Sequence, residues 1–475
     1  MVESKMYLLI DDSKIQNFGV RHFQAFLLFL CFSANYLLTN SVEAYLKMAV
    51  SDGHNNTTTD YNRRTLSSDF FQYAFIGGSL LAGYMGTKMN NKILLLIGLS
   101  YSSITTFFLP YVLYYGGYVA FVPIRTSLGV AEGFALPMII GQIARWFPLY
   151  ERAAFTAFIF GGRDLGVILL KMYMGLVNAG MVKWPSMWFF AGTVGLMVSA
   201  AWGISGAHDP GKCYYINEAE KIYITEHCVY EYRIAKKHIK WGLLLTNVPF
   251  YALLILHVGY YFGFRLMLYE IPTYLYRVYG LELTEVGIVA SVPHITALIF
   301  CVPVGFVADL MIRKRLMGLE FTRKLFSSIG MFGCAFCIVS YAFASDQSLT
   351  IFMNSLATSL TVFVNIGLYL NHVDIAPNFA CLVMGFSSVV ATITGIILPE
   401  LTLLLISDVS SAKGWEAMLF MTAGIYTVTN VFFLVYGSSD VQNFNLSGSS
   451  VEGRRLPKMP VKHEAIFHLR DTKVQ

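Results

Sequence analysis

Arg125 and Glu132 stand seven residues apart inside one apolar run that extends from Gly117 to Arg145. A charge in the middle of such a run costs a few kcal/mol to insert, so it faces a bundle interior or a water-filled path rather than lipid. Seven residues is close to two helical turns, which puts both groups on one face about 10 Å apart. That rise is too long for a snug ion pair along the helix. The two charges are therefore expected to act on something between or opposite them. A guanidinium presents a planar fork of donors that fits a carboxylate or a phosphate, and a buried carboxyl without a permanent partner can take up and release a proton. The bland alternatives are an Arg125 that pairs with another helix for stability and a Glu132 locked in a salt bridge, to Arg125 across a helix bent at Pro137.

Other charges fall in apolar runs as well. Glu43 and Lys47 are four apart, the spacing of a self-neutralising pair on one helix face. Arg163, Asp164 and Lys171 cluster in the fifth run, where Asp164 and Lys171 share a face and line a pathway or, in the case of Arg163 beside Gly161 and Gly162, serve helix packing. Arg265 and Glu270 lie near the end of the seventh run, where snorkelling to the interface is the default. Glu400 follows Pro399 in the eleventh.

The elements that must position these groups are membrane helices. Of 475 residues 56% are apolar and only 13% charged, with a mean hydropathy of +0.56, whereas a soluble protein carries about 25% charged residues. A span needs about twenty apolar residues, and twelve runs qualify: 23–50, 69–87, 93–115, 117–144, 153–178, 186–206, 242–269, 285–309, 325–344, 349–371, 379–406 and 416–436. The expected organisation is a tail over 1–22, a six-helix bundle over 23–206, a polar linker over 207–240, a second six-helix bundle over 241–436 and a tail over 437–475. The seven cysteines lie in apolar runs or in the linker, which argues against a disulfide framework, and Cys334 and Cys337 read as small residues of a membrane helix despite their redox-like spacing.

Lys and Arg crowd the tails, the linker and alternate turns, while the opposite side holds only Arg63, Arg64, Lys183, Arg277 and Lys413. By the positive-inside rule both termini are cytoplasmic. The first outside loop then contains Asn55 and Asn56, two overlapping glycosylation sequons. No secretory signal is evident before Phe23. Gly83, Lys88 and Lys92 after the second run match Gly305, Asp309, Arg313 and Lys314 after the eighth. A repeat at corresponding places in two six-run halves points to a duplicated transporter bundle.

These turns resemble the loop motif of the major facilitator superfamily, with Thr87 where the first copy usually has Asp. Arg125-Thr-Ser-Leu-Gly-Val-Ala-Glu132-Gly133, with Pro137, and then Arg145-Trp-Phe-Pro148 with Glu151 and Arg152, resemble the fourth helix and following loop of its anion/cation symporter family. Asn371-His-Val-Asp374-Ile-Ala-Pro377 resembles that family's loop after helix ten, and Lys183-Trp-Pro185, Pro249-Phe-Tyr-Ala252 and Val292-Pro-His294 fall in order around them. The resemblance covers about residues 18 to 436. The family groups sodium–phosphate cotransporters, a sialic acid carrier and vesicular glutamate and nucleotide transporters. Two departures stand out: Leu38 occupies the place of a helix-one arginine, and Tyr260 that of a helix-seven arginine found in glutamate transporters. The histidine near the start of their second helix falls near Ser68 or Asp69.

The resemblance implies an all-α membrane protein with twelve transmembrane helices in two pseudo-symmetric six-helix bundles. It implies a secondary active transporter, not an enzyme, that moves a small organic or inorganic anion with sodium or protons by alternating access. Arg125, Arg163 and Tyr260 are the expected substrate contacts, and Glu132 and Asp164 the ion-coupling groups. Lys88, Lys92, Arg152, Asp309, Arg313 and Asp374 are the expected gating positions. No Walker loop is present, no cofactor or metal beyond a co-transported sodium ion or proton is implied, and the partners are the solute and the bilayer, with no nucleic acid. The functional unit is expected to be a monomer in the plasma membrane or a lysosomal or vesicular membrane. A sensor or scaffold without net transport and an anion channel are the rival readings.

Overall fold

In lipid every backbone N–H and C=O must be satisfied within its own segment, so apolar runs of this length become helices. The computed structural model describes residues 18–51, 58–228, 238–344, 346–406 and 408–445, and no strand occurs among them. The first half is built from α1 (Val20–Ser51), α2 (Thr58–Gly86), α3 (Asn91–Glu132), α4 (Ala135–Trp146), α5 (Arg152–Asn178) and α6 (Pro185–Ser205). Two short helices, α7 (Glu218–His227) and α8 (Trp241–Leu245), lie between the halves in sequence. The second half comprises α9 (Val248–Arg265), α10 (Ile271–Tyr279), α11 (Leu283–Val289), α12 (Val292–Arg313), α13 (Leu319–Ala342), α14 (Gln347–Ile375), α15 (Ala380–Leu405) and α16 (Ala412–Tyr436).

Ten stretches among the described residues are long and apolar enough to cross a bilayer. One of them, Asn91–Trp146, has 56 residues, far beyond one crossing at 1.5 Å of rise per residue. It folds back at Gly117, whose φ of 58° is a left-handed conformation that glycine adopts without penalty. The Tyr101 hydroxyl meets Ser127 Oγ at 2.7 Å across this hairpin. The helix α2, whose first turns are polar, supplies a further crossing, and the total is the expected twelve. An even number leaves the start of α1 and the end of α16 at the same end of the bundle, called here the terminal end.

The boundaries differ from the hydropathy runs where polar residues continue a helix or a proline reshapes one. The second helix begins at Thr58, eleven residues before its apolar run, because helical hydrogen bonding carries on through its polar first turns. The seventh span begins at Val248 and runs on to Tyr279 through a π-helical turn, Leu266–Glu270. Pro272, in the first turn of α10, has no N–H to give to Leu268, and the turn before it widens.

The two halves meet along two seams, α2 against α15 and α5 against α12, which exchange under the pseudo-symmetry of the repeat. Each seam contains the glycine of one repeat copy. A Cβ on Gly83 would lie 3.0 Å from the Cys381 carbonyl and 3.2 Å from Gly385 Cα, and one on Gly305 would lie 2.7 Å from Ala153 O. Backbone therefore rides on backbone at both places. The linker is tied to the first half: the buried Glu220 carboxylate accepts from the N–H groups of Val20 (2.9 Å) and Arg21 (3.0 Å) at the start of α1 and pairs with the Arg21 side chain.

Candidate functional site

Between the halves lies a cavity of about 80 Å³. From the first half it is lined by Asn35, Tyr36, Thr39, Asn40 and Glu43 of α1 and by Glu132 at the end of α3. From the second half His257, Tyr261 and Arg265 of α9 and Tyr269 of the π turn face it, with Tyr369 of α14 and Ser388 and Thr392 of α15. The helical spacing of Tyr261, Arg265 and Tyr269 explains the shared face, since residues four apart stack one turn above another. A π turn inside a helix commonly marks a functional position, and here it starts directly after Arg265.

Of the opening pair, only Glu132 lines this space. Its Oε2 accepts from Thr39 Oγ1 at 2.5 Å, while the buried Oε1 has no hydrogen-bond partner. Arg125 is wholly buried behind it. One Nη donates to Glu43 Oε1 at 2.6 Å, and the guanidinium lies over the Phe71 ring at 3.6 Å. Its Nε and other Nη have no partner. Arg125 thus takes its countercharge from α1, not from Glu132 in its own helix. The Ser68 hydroxyl also approaches the Glu43 carboxylate, at 3.3 Å. The Lys47 side chain, the other half of the expected Glu43 pair, lies outside the described residues.

Arg163 and Asp164 do not line the cavity. They form a buried polar knot that joins the halves. Arg163 donates to the Tyr260 hydroxyl, to Asp164 at 3.2 Å and to Thr361, with its guanidinium 4.5 Å over Phe264. Asp164 meets His294 Nδ1 at 2.9 Å, and the Tyr260 hydroxyl meets Asn365 at 3.3 Å. Tyr260 therefore neighbours a guanidinium supplied by α5. Lys171 donates to the Ala290 carbonyl at 2.9 Å instead of turning to Asp164.

Arg265 is the position that hydropathy misplaces. Its guanidinium stands 4.7 Å over the Tyr269 ring and 5.9 Å from the centre of the Tyr261 ring, facing the cavity and not the lipid interface. The signal was the tyrosine four residues to either side, which together with Arg265 forms one polar aromatic face. Glu43 escaped for a different reason: its partner lies eighty-two residues away in sequence.

At the terminal end the residues expected to gate divide into two groups. Asp374 accepts from Arg152 across the interface between halves at 3.2 Å and from Arg323 within its own half at 2.7 Å, with all three side chains buried. Asp309 accepts from the N–H groups of Ala153 (2.9 Å) and Ala154 (2.7 Å), capping the positive end of α5 from the other half. Thr87, in the matching place of the first copy, bonds the Tyr84 carbonyl of its own helix. Lys88 is exposed and turns back to the Tyr84 hydroxyl, and Arg313 is exposed. Lys92 is only half-buried, at the start of α3. Nearby, burial together with Arg145 and Lys212 holds the His208 imidazole down at about 3, so a neutral ring faces Arg145 at 2.9 Å. Asn55 and Asn56 lie outside the described residues.

Comparison with known proteins agrees with this architecture. Residues 25–399 match the model of the Major Facilitator Superfamily. A Drosophila ananassae protein named "Putative inorganic phosphate cotransporter" is 28% identical over 79% of this chain and 78% of its own length. Human sialin is 27% identical over 79% of this chain and 76% of its own. Among solved structures, the proton:xylose symporter XylE bound to 6-bromo-6-deoxy-D-glucose superimposes with a TM-score of 0.69, covering 89% of this chain and 97% of that one at 14% identity. That likeness is one of fold. With twelve helices in two repeated halves around a polar cavity, and with that match over most of its length, the chain belongs to the Major Facilitator Superfamily, a family of transporters and not of enzymes.

Proposed function

We propose that the protein is a secondary active transporter that carries a small anion together with sodium or a proton, alternating access to the central cavity between the two faces of the membrane. The observation that carries this is the charge balance of the cavity. Among the described residues Arg265 on the wall and Arg125 behind it contribute two positive charges, and Glu43 and Glu132 two negative ones, so that set is neutral when ionised. An anion entering it alone would leave a net negative charge in a low-dielectric space, where an uncompensated charge is costly. A cation taken up with the anion restores balance, and Glu132, whose Oε1 has no partner, is the group that would receive it. The relative named for inorganic phosphate supports an anionic substrate.

On this reading the terminal end is cytoplasmic, the polar residues over 207–240 link two six-helix units, and the monomer is the working unit. Asp374 and Asp309 would hold the cytoplasmic end shut, and Arg163, Asp164 and Tyr260 would couple the halves beneath the site.

The experiment is uptake into proteoliposomes under imposed sodium or proton gradients. Wild-type protein is expected to accumulate an anion against its gradient. Glu132→Gln is expected to lose uphill accumulation while retaining exchange of internal for external anion. Accumulation by the variant at the wild-type level would remove the coupling role. Absence of gradient-dependent flux with phosphate, glutamate, sialic acid and urate alike would favour a sensor instead of a transporter.

A further inference from the structure

We infer that Arg265, and not Arg125, grips the substrate, and that the substrate is a compact, singly charged oxyanion of about five to eight non-hydrogen atoms. This rests on the transport reading above and names the site's ligand.

Arg125 is already committed. Glu43 holds one Nη at 2.6 Å, and Phe71 covers a face of the guanidinium at 3.6 Å. Arg265 lines the same cavity and forms no ion pair among the described residues. Its side chain is held in place without being neutralised. The Tyr269 ring lies beneath it at 4.7 Å, and Gly395 of α15 gives it passage. A Cβ on Gly395 would stand 3.3 Å from Arg265 Cδ and Cζ and 2.8 Å from the buried Gln72 Oε1. An arginine packed against aromatic faces keeps its donor fork oriented, which lowers the entropy lost on binding an oxyanion. Hydroxyl and amide groups of Thr39, Asn35, Asn40, Ser388 and Thr392 complete the lining.

Charge and volume set the substrate class. With Arg125 neutralised by Glu43 and with Glu132 balanced by the co-transported cation, one cation remains among the described residues, Arg265, and it matches one negative charge. A water needs about 10–15 Å³ of such space, so a cavity of about 80 Å³ takes a solute of five to eight heavy atoms. Dihydrogen phosphate and a short monocarboxylate such as lactate share this chemistry. Glutamate and sialic acid exceed it.

The test uses the full-length protein in proteoliposomes, with initial rates of phosphate, lactate, glutamate and sialic acid uptake measured across concentration. Wild-type protein is expected to move phosphate or lactate, the comparison deciding which, in preference to the two larger anions. Losing a charged hydrogen-bonding partner should raise KM about ten- to a hundredfold in Arg265→Gln. Arg265→Lys, which keeps the charge and loses the fork, should show a smaller rise in KM with kcat close to wild type, a split that a folding defect would not produce. An Arg265→Gln KM within about twofold of wild type, beside an active wild type, overturns the inference and leaves the transport reading standing. So does preferential uptake of glutamate or sialic acid. A wild type that moves no anion overturns the transport reading and this inference with it.

Discussion

Replacing Asp374 by Asn should release the terminal end. The carboxylate serves two guanidinium groups, Arg152 from the first half at 3.2 Å and Arg323 from its own half at 2.7 Å, and it is 5% exposed. Only the first of these bonds depends on how the halves sit, so only that one biases the equilibrium between a closed and an open terminal end. Truncating one member of a buried, hydrogen-bonded charge pair costs about 2–5 kcal/mol. Asn keeps an acceptor oxygen, and Asp309 still caps α5 through Ala153 and Ala154, so the low end of that range, about 2 kcal/mol, is the appropriate figure. At 1.4 kcal/mol per tenfold it corresponds to a shift of about thirtyfold in favour of the open form. The assay is a distance distribution between spin labels at Glu226 on α7 and Leu316 after α12, both exposed and both at the terminal end. All seven native cysteines are buried, which favours selective labelling of introduced ones. The variant should gain a longer-distance component, and Arg152→Gln should do the same. Arg323→Gln, which spares the bond between halves, should shift the distribution much less. A folded Asp374→Asn protein with the wild-type distribution would refute the reasoning.

Three further outcomes are expected. Arg125→Gln leaves the Glu43 carboxylate without its cation, and Glu43→Gln does the converse, so each single variant should lower thermal stability while the double variant recovers part of the loss; a strictly additive double variant in the same melting assay would show that the pair is not coupled. Gly305→Val places a side chain where a Cβ already lies 2.7 Å from Ala153 O, and it should cut the yield of monodisperse protein, as judged by size-exclusion chromatography; a wild-type profile would show that this seam gives way easily. Replacing both Asn55 and Asn56 by Gln should abolish the gel shift on enzymatic deglycosylation from a eukaryotic host. A persistent shift would place the sugar elsewhere, and no shift even in wild type would remove this support for an outer first loop.

Much of the architecture was legible because lipid imposes one rule on every segment. The twelve crossings and the repeat at Gly83 and Gly305 follow from hydropathy and spacing. The grouping of Arg152, Asp309 and Asp374 at one end was legible for a related reason: charges flanking short turns settle at the same membrane surface. The inside of the site was less readable. Arg125 and Glu132 share a helix, yet each finds its partner on α1, Glu43 in one case and Thr39 in the other. Nothing local distinguishes an arginine that will meet a carboxylate from a distant helix from one left to meet a ligand. Arg265 was misread because an apolar window treats a cation near its end as an anchor, whereas the π turn after it moves that end inward. The resemblance sets Tyr260 against an arginine of glutamate transporters, and the guanidinium Tyr260 meets in this fold comes from Arg163 on another helix. Such exchanges are invisible to any one-dimensional pattern.

The two glycine seams bear on which shape the molecule prefers at rest. Where Gly83 lies against Gly385 the contact is backbone on backbone, with no Cβ on either side to interlock. A joint of this kind is mechanically indifferent and holds one angle about as readily as another. The decision is left to the directional bonds around it, those of Asp374 and Asp309 at the terminal end and those of Arg163 and Asp164 deeper in the interface. Sequence change along the seam therefore alters whether the halves fit together at all, while a single charge at its edge alters how long they stay in one pose.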